Sequence, residues 1–374
     1  MSESTPVARV FRHPIGNMES RESSALVVGA CGFVLGALVG LFVFWGRDVP
    51  ISGRGSVGDF VALGGALTAA AAFLFGCALR RAEGRNVAAG AGTRPQLHWF
   101  DIAALALAHA IIALLGWAGL ASVLSESFTG ASVYSFSAAL LAGVALAVTA
   151  YMAYLSAVNL SPMLLSLVLA LFLVVGALTS MLSATDPLWW QKNLSTLGIS
   201  DDISARAFNL TLIIAGVMVT TIAHYATAFL PRATPTDNRG RNLVRLGLVL
   251  LGVLLACVGI FPVDEFLEAH NTAASGMAIV YVAMVISLRW LLPSMPKLFI
   301  LLGYVYVAVI VILAVFFITG YYNLTAVELV AAVLIFSWII LFLRNTGAVS
   351  PRTTAVPRSS TPDTAAEQAT SIPT

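Results

Sequence analysis

Long apolar runs separated by short polar stretches recur along the whole chain. A run of about 18 or more apolar residues is long enough to cross the hydrocarbon core of a bilayer as a helix. Ten such spans are predicted, at about 25–45, 59–79, 99–123, 131–155, 162–183, 206–230, 243–262, 271–292, 298–319 and 325–344. The runs are too long and too continuous for a β-barrel, whose strands alternate and span about ten residues. The expected fold is all-α: a polytopic membrane helical bundle. Its expected organisation is an N-terminal segment (1–24), a four-helix module (25–160), a six-helix module (161–345) and a disordered tail (346–374). That tail is rich in Pro, Thr, Ser and Ala and has no apolar run to offset its ordering entropy.

Composition agrees with this pattern. Of 374 residues 59% are hydrophobic and only 10% charged, and the mean hydropathy is +0.91. Soluble domains carry about 25% charged residues, so a soluble enzyme and a nucleic-acid-binding protein are excluded. Threading the charges through ten spans exposes an asymmetry that the net charge of +2 hides. Arg47, Arg54, Lys192 and Arg206 fall on one side, and the other sixteen Lys and Arg on the side of both termini. Positively charged loops resist translocation. Both termini are therefore expected inside, in the plasma (inner) membrane. The polar residues before the first span, Glu19 and Glu22 among them, do not resemble a cleavable signal peptide. Acidic residues collect on the opposite, outer side.

The local motifs are few. Gly53-Arg54-Gly55-Ser56-Val57-Gly58 has GxGxxG spacing, but it lies between two spans rather than between a strand and a soluble helix, so it is no dinucleotide fingerprint. Gly32, Gly36 and Gly40 form a small-residue stripe suited to close helix packing, by default within the chain, with another membrane protein as the alternative. Cys31, Cys77 and Cys257 sit in apolar runs as small hydrophobes. No metal-ligand spacing occurs, and neither a metal nor a cofactor is expected.

Two polar stretches face the outer side. In Phe261–Ala274, Asp264, Glu268 and Asn271 share a helical face while His270 points elsewhere, and Asn271 or Thr272 can cap the following helix. If there is a reaction, His270 is its acid or base, with Asp264 or Glu268 orienting it or binding a cation. No nucleophile–base pair is recognisable in the sequence, so the chain is not read as an enzyme. In Asp186–Asn209, Trp189 and Trp190 read as headgroup-level anchors, and Ser195, Gly198, Ser200, Asp201, Asp202 and Asn209 as polar residues at a span entrance. Within the spans, Asp101, His109 and His224 are ionisable groups that by default mark a pathway or a relay.

The Leu197-Gly198-Ile199-Ser200-Asp201 turn, Phe208-Asn209 at the start of a span, and Phe261-Pro262, His270 and Ala273-Ala274 two spans later carry a resemblance. Together they resemble an uncharacterised bacterial and archaeal family of multipass proteins. More distantly they are similar to the superfamily of damage-regulated autophagy modulators and Golgi factors that remodel GPI-anchored lipids. The resemblance covers about residues 162–344 and implies an outward polar site near lipid headgroups at Ser200, Asp201, Asn209, Pro262 and His270, with a lipid- or envelope-related role and membrane lipids as partners. The alternatives are a proton-coupled secondary transporter using His109 or His224, and a non-catalytic assembly partner of a membrane complex.

Overall fold

The computed structural model describes residues 18–87, 98–199, 203–227, 230 and 235–348. Ser200, Asp201, most of the N-terminal segment and nearly all of the tail lie outside the described residues. Ten helices run in chain order: α1 (Met18–Phe44), α2 (Val57–Val87), α3 (Trp99–Ser127), α4 (Ser135–Val158), α5 (Pro162–Leu182), α6 (Ile203–Thr227), α7 (Pro235–Ile260), α8 (Leu267–Leu291), α9 (Lys297–Ile318) and α10 (Leu324–Ala348). Each is long and apolar enough to cross a membrane. The protein is an all-α, multi-pass membrane bundle.

The alternation of ends is visible in contacts between loops. A two-residue β1 (Val49–Pro50) pairs antiparallel with β2 (Ser132–Val133), tying the α1–α2 loop to the α3–α4 loop. On that same side Ser195 meets His270, and Asn323 donates to the Trp190 carbonyl at 2.9 Å. On the opposite side Arg21 reaches Asn159 at 3.0 Å, and Arg245 reaches Thr227 at 2.8 Å. These are called here the acidic and the basic side, after the charges that collect on each.

Hydrocarbon is as apolar as leucine, so helix pairs in a membrane are held by close packing and by interhelical hydrogen bonds. The glycine stripe of α1 does this within the chain. Gly29, Gly36 and Gly40 are buried against α4, where an added Cβ on Gly36 would fall 2.9 Å from Leu146 and 3.2 Å from the Gly143 backbone. The opposite face of α1, with Leu35, Leu38 and Phe42, is exposed and suited to lipid. A tighter pair joins α6 to α7. A Cβ on Gly216 or on Gly252 would come within 3.0 Å of the other's carbonyl oxygen, and one on Gly259 within 3.0 Å of the Asn209 carbonyl. Backbone faces backbone there, and no side chain can yield.

Helices α1–α4 pack mainly among themselves, and α3 then bridges to α5 and α6. One continuous core runs from Phe73 and Tyr154 through Phe172 and Met218 to Tyr281, Trp338 and Phe342. In its last part Trp338 stacks on Phe299 and meets Tyr281 edge-on, at centroid separations of 5.4 and 5.6 Å.

Because the α6–α7 contact leaves no slack, Gly252→Leu is expected to destabilise more than the same change at Gly276, where the nearest atoms are flexible Leu254 methyls at 3.4 Å. Overpacking costs about 1–3 kcal/mol at a typical core site and more where backbone must shift. Thermal unfolding of the detergent-purified variants measures the difference, and equal melting temperatures would contradict the packing argument.

Candidate functional site

The acidic side of α5–α10 is closed by the connection between α5 and α6, which folds into two short 3-10 turns, Trp189–Gln191 and Leu194–Gly198. Asp186 starts it. One carboxylate oxygen accepts the Leu188 N–H at 2.9 Å and the other pairs with Lys192 at 3.1 Å. The backbone N–H first, and then the ammonium, hold this carboxyl below its ordinary value. The brace is therefore intact at neutral pH and weakens as pH falls through the carboxylate range. Asn193 caps the second turn by accepting the Thr196 N–H at 2.8 Å and its hydroxyl at 3.0 Å.

Three helices hold this segment. Glu328 on α10 accepts the Leu194 N–H, and Asn323 just before α10 holds Trp190. Asn209 on α6 donates to the Gly198 carbonyl at 3.0 Å, and a Cβ on Gly198 would collide with the Asn209 amide. Ser204 donates to the Ser180 carbonyl at 2.8 Å, joining the buried ends of α5 and α6. From α8 comes His270, only 4% exposed, whose Nε2 lies 2.9 Å from the Ser195 hydroxyl and whose Nδ1 lies 2.8 Å from the Phe261 carbonyl.

The partners fix the tautomer of His270. A carbonyl only accepts, so Nδ1 carries the proton and donates it to Phe261. In the neutral ring Nε2 is then a lone pair facing the Ser195 O–H, which donates to it. A serine hydroxyl within hydrogen-bond reach of an imidazole that is itself oriented by a third group is the arrangement that activates a nucleophile. Here the third group is a backbone carbonyl rather than a carboxylate.

The residues read from the sequence therefore have different fates. His270 is central, and it does point away from Asp264, Glu268 and Asn271, which are all exposed. Asp264 and Glu268 do not orient it, because the Phe261 carbonyl occupies Nδ1. Asn271 is not a cap. The Phe266 N–H bonds to the Pro262 carbonyl and the His270 N–H to the Phe266 carbonyl, so the chain turns directly into α8 and Asn271 falls inside the helix. Asn209 acts by holding Gly198. Ser195, Asn323 and Glu328 were missing as partners. Asn193-x-x-Thr196 signals a capped turn around Ser195, but nothing in the sequence places that turn against His270.

The intramembrane groups separate. Asp101 accepts the His98 N–H at 3.0 Å and so serves the start of α3, two turns away from His109. His109 is wired like His270. Its Nδ1 meets the Leu105 carbonyl at 2.7 Å and its Nε2 the Ser156 hydroxyl at 2.8 Å, while its ring stacks on Phe73 at 4.4 Å. His224 is exposed and reaches only the Thr220 carbonyl of its own helix at 3.2 Å. Among the described residues no group of three or more His, Cys, Asp or Glu is placed to hold a metal ion.

No family model matches the chain, and comparison with curated proteins and with solved structures gives no match either.

Removing the imidazole deprives Ser195 and the Phe261 carbonyl of their buried partner. His270→Ala is expected to cost about 1–3 kcal/mol and to loosen the 186–199 segment. The side chain of Lys192 is already 61% exposed, so trypsin cleavage after it reports the loosening directly. Cleavage as slow as in the wild type would show that the histidine does not hold the segment.

Proposed function

We propose that this multi-pass protein has a lipid-associated role in the cell envelope, in the plasma membrane with both termini inside, and that its working site is the outward Ser195–His270 pair at headgroup level. The observation that carries this reading is the 2.9 Å approach of Ser195 to an imidazole whose other nitrogen is fixed on a carbonyl. The resemblance of residues 162–344 to multipass families with lipid-related members supports the same side of the molecule. So does the position of the pair at the first turn of α8, beside the loop between α5 and α6. The exposed Asp264, Glu265 and Glu268 beside it favour lipids with a cationic headgroup group over purely anionic ones.

If the role includes turnover, Ser195 is the nucleophile and His270 accepts its proton, then returns it to the leaving group. In an acyl transfer the ester carbonyl carbon bonds to Ser195 Oγ, the ester C–O bond breaks, and the departing alcohol leaves with the proton held by His270. Water then cleaves the acyl-serine and frees the acid. If the role is binding alone, the same pair supplies one donor and one acceptor to a headgroup. Transport is less well supported, since His109 has both nitrogens bonded within the protein and His224 stands apart from it on the surface of α6.

A fluorophosphonate probe separates these outcomes. Labelling of the membrane-embedded full chain that disappears in both Ser195→Ala and His270→Ala establishes an activated serine. Absence of labelling with an altered envelope-lipid profile in cells carrying His270→Ala establishes a non-catalytic lipid role. No labelling and an unchanged profile in every lipid class would reject the proposal.

A further inference from the structure

A groove of about 590 Å³ runs along α3, α4 and α5, within the range of sites that take a small ligand. It extends from His109 to Leu120 on α3 and from Asn159 back to Val148 on α4. That is about 16 Å of helix at 1.5 Å per residue. Its rim residues Leu120, Val148, Leu167 and Leu171 are exposed, so it opens sideways toward lipid rather than along a central channel.

The polar groups along its length are already paired. His109 uses both nitrogens on Leu105 and Ser156. The Trp117 indole donates to the Thr149 hydroxyl at 2.9 Å, and that hydroxyl donates to the Ala145 carbonyl at 2.8 Å. The wall thus offers apolar surface and no open hydrogen-bonding site, which suits a hydrocarbon chain and disfavours a polar solute. Polarity returns only at the basic end, where Asn159 lines the groove and takes a hydrogen bond from the Arg21 guanidinium.

A second observation comes from the glycines. Nearly every described glycine within a helix has another element against it, as at Gly36, Gly216 and Gly252. Gly116 and Gly119 on α3 do not, for an added Cβ at either would meet nothing within 4 Å. Gly116 lines the groove. A glycine in a helix interior costs about 1 kcal/mol relative to alanine, and among the described residues no helix uses the space this one leaves.

We propose that the groove binds one acyl chain of an anionic glycerophospholipid from the leaflet on the basic side, with the chain along Gly116 and Leu171 and the phosphate at Asn159 and Arg21. This site is separate from Ser195–His270 and stands or falls without it.

Native mass spectrometry of the detergent-purified full chain tests the proposal, with phosphatidylglycerol and phosphatidylcholine of identical chains supplied in equal amounts. The expected result is one saturable phosphatidylglycerol adduct per chain, favoured about fivefold by the cation at the mouth. Gly116→Phe, which fills open space and replaces a poor helix former, should keep or raise the melting temperature while cutting the adduct about tenfold or more. Leu171→Trp should act in the same direction from the opposite wall. Arg21→Gln should retain binding but bring the two lipids close to equal occupancy. Undiminished adduct in both groove-filling variants would overturn the site. A saturable adduct with the mass of a free fatty acid would overturn the phospholipid as its occupant.

Discussion

Inside a bilayer no solvent is available to satisfy a hydrogen-bonding group, and this single constraint orders the rest of the structure. Several polar side chains that the spans carry are drawn to partners on other elements, and these pairs tie particular helices together. His109 draws Ser156, linking α3 to α4. Trp117 draws Thr149 across the same pair of helices. Ser204 draws Ser180 and closes α6 onto α5. His270 draws Ser195 and the Phe261 carbonyl, and so fastens an interhelical segment to the start of α8. The hydrogen bonds are individually worth about 1 kcal/mol, but leaving one unmade in hydrocarbon costs more, so together they select one arrangement.

Glycine supplies the complementary half. A polar pair across two helices forms only if the axes come close enough, and the small residues set that distance. At Gly216 and Gly252 the approach is backbone to backbone, which fixes α6 against α7 and holds Asn209, on the same face, where it can reach Gly198. The acidic-side segment is therefore rigid because the helices beneath it are. Where glycine occurs without a neighbour, as at Gly116 and Gly119, the same logic runs in reverse: space is kept that none of the described residues fills.

Much of this was legible in the sequence because hydropathy reads the solvent directly. All ten spans appear as helices near the expected positions. The errors are at the ends, and they have physical causes. The second helix continues to Val87, past Arg80 and Arg81, because long basic side chains reach the interface without breaking the helix beneath them. The eighth begins at Leu267 rather than at 271, since Glu268 is favourable in a first turn. Of the site, the histidine on the acidic side was legible as an unusual group in a costly place. Its partner was not. Ser195 lies 75 residues away in sequence, serine is common, and periodicity within one element carries no information about contacts between distant ones. The exposed carboxylates drew attention for their charge, although charge is what keeps Asp264 and Glu268 at the surface. The buried work went to an imidazole, a hydroxyl and a carbonyl.

The two histidines that carry the same wiring show why position decides function. Each has Nδ1 on a backbone carbonyl and Nε2 on a serine hydroxyl, so the local chemistry of Ser156 and Ser195 is alike. Around His109 the surfaces are a stacked Phe73 and an apolar groove that opens to lipid. No water is at hand to complete a hydrolysis there, and developing charge would meet hydrocarbon. Around His270 the neighbours are the first turn of a span, a polar 3-10 turn and exposed carboxylates. Charge separation between serine and imidazole costs less beside those polar neighbours than in hydrocarbon. The same pair is therefore a helix clasp in the interior and a candidate working site at the surface, and the distinction follows from the dielectric around it rather than from the residues themselves.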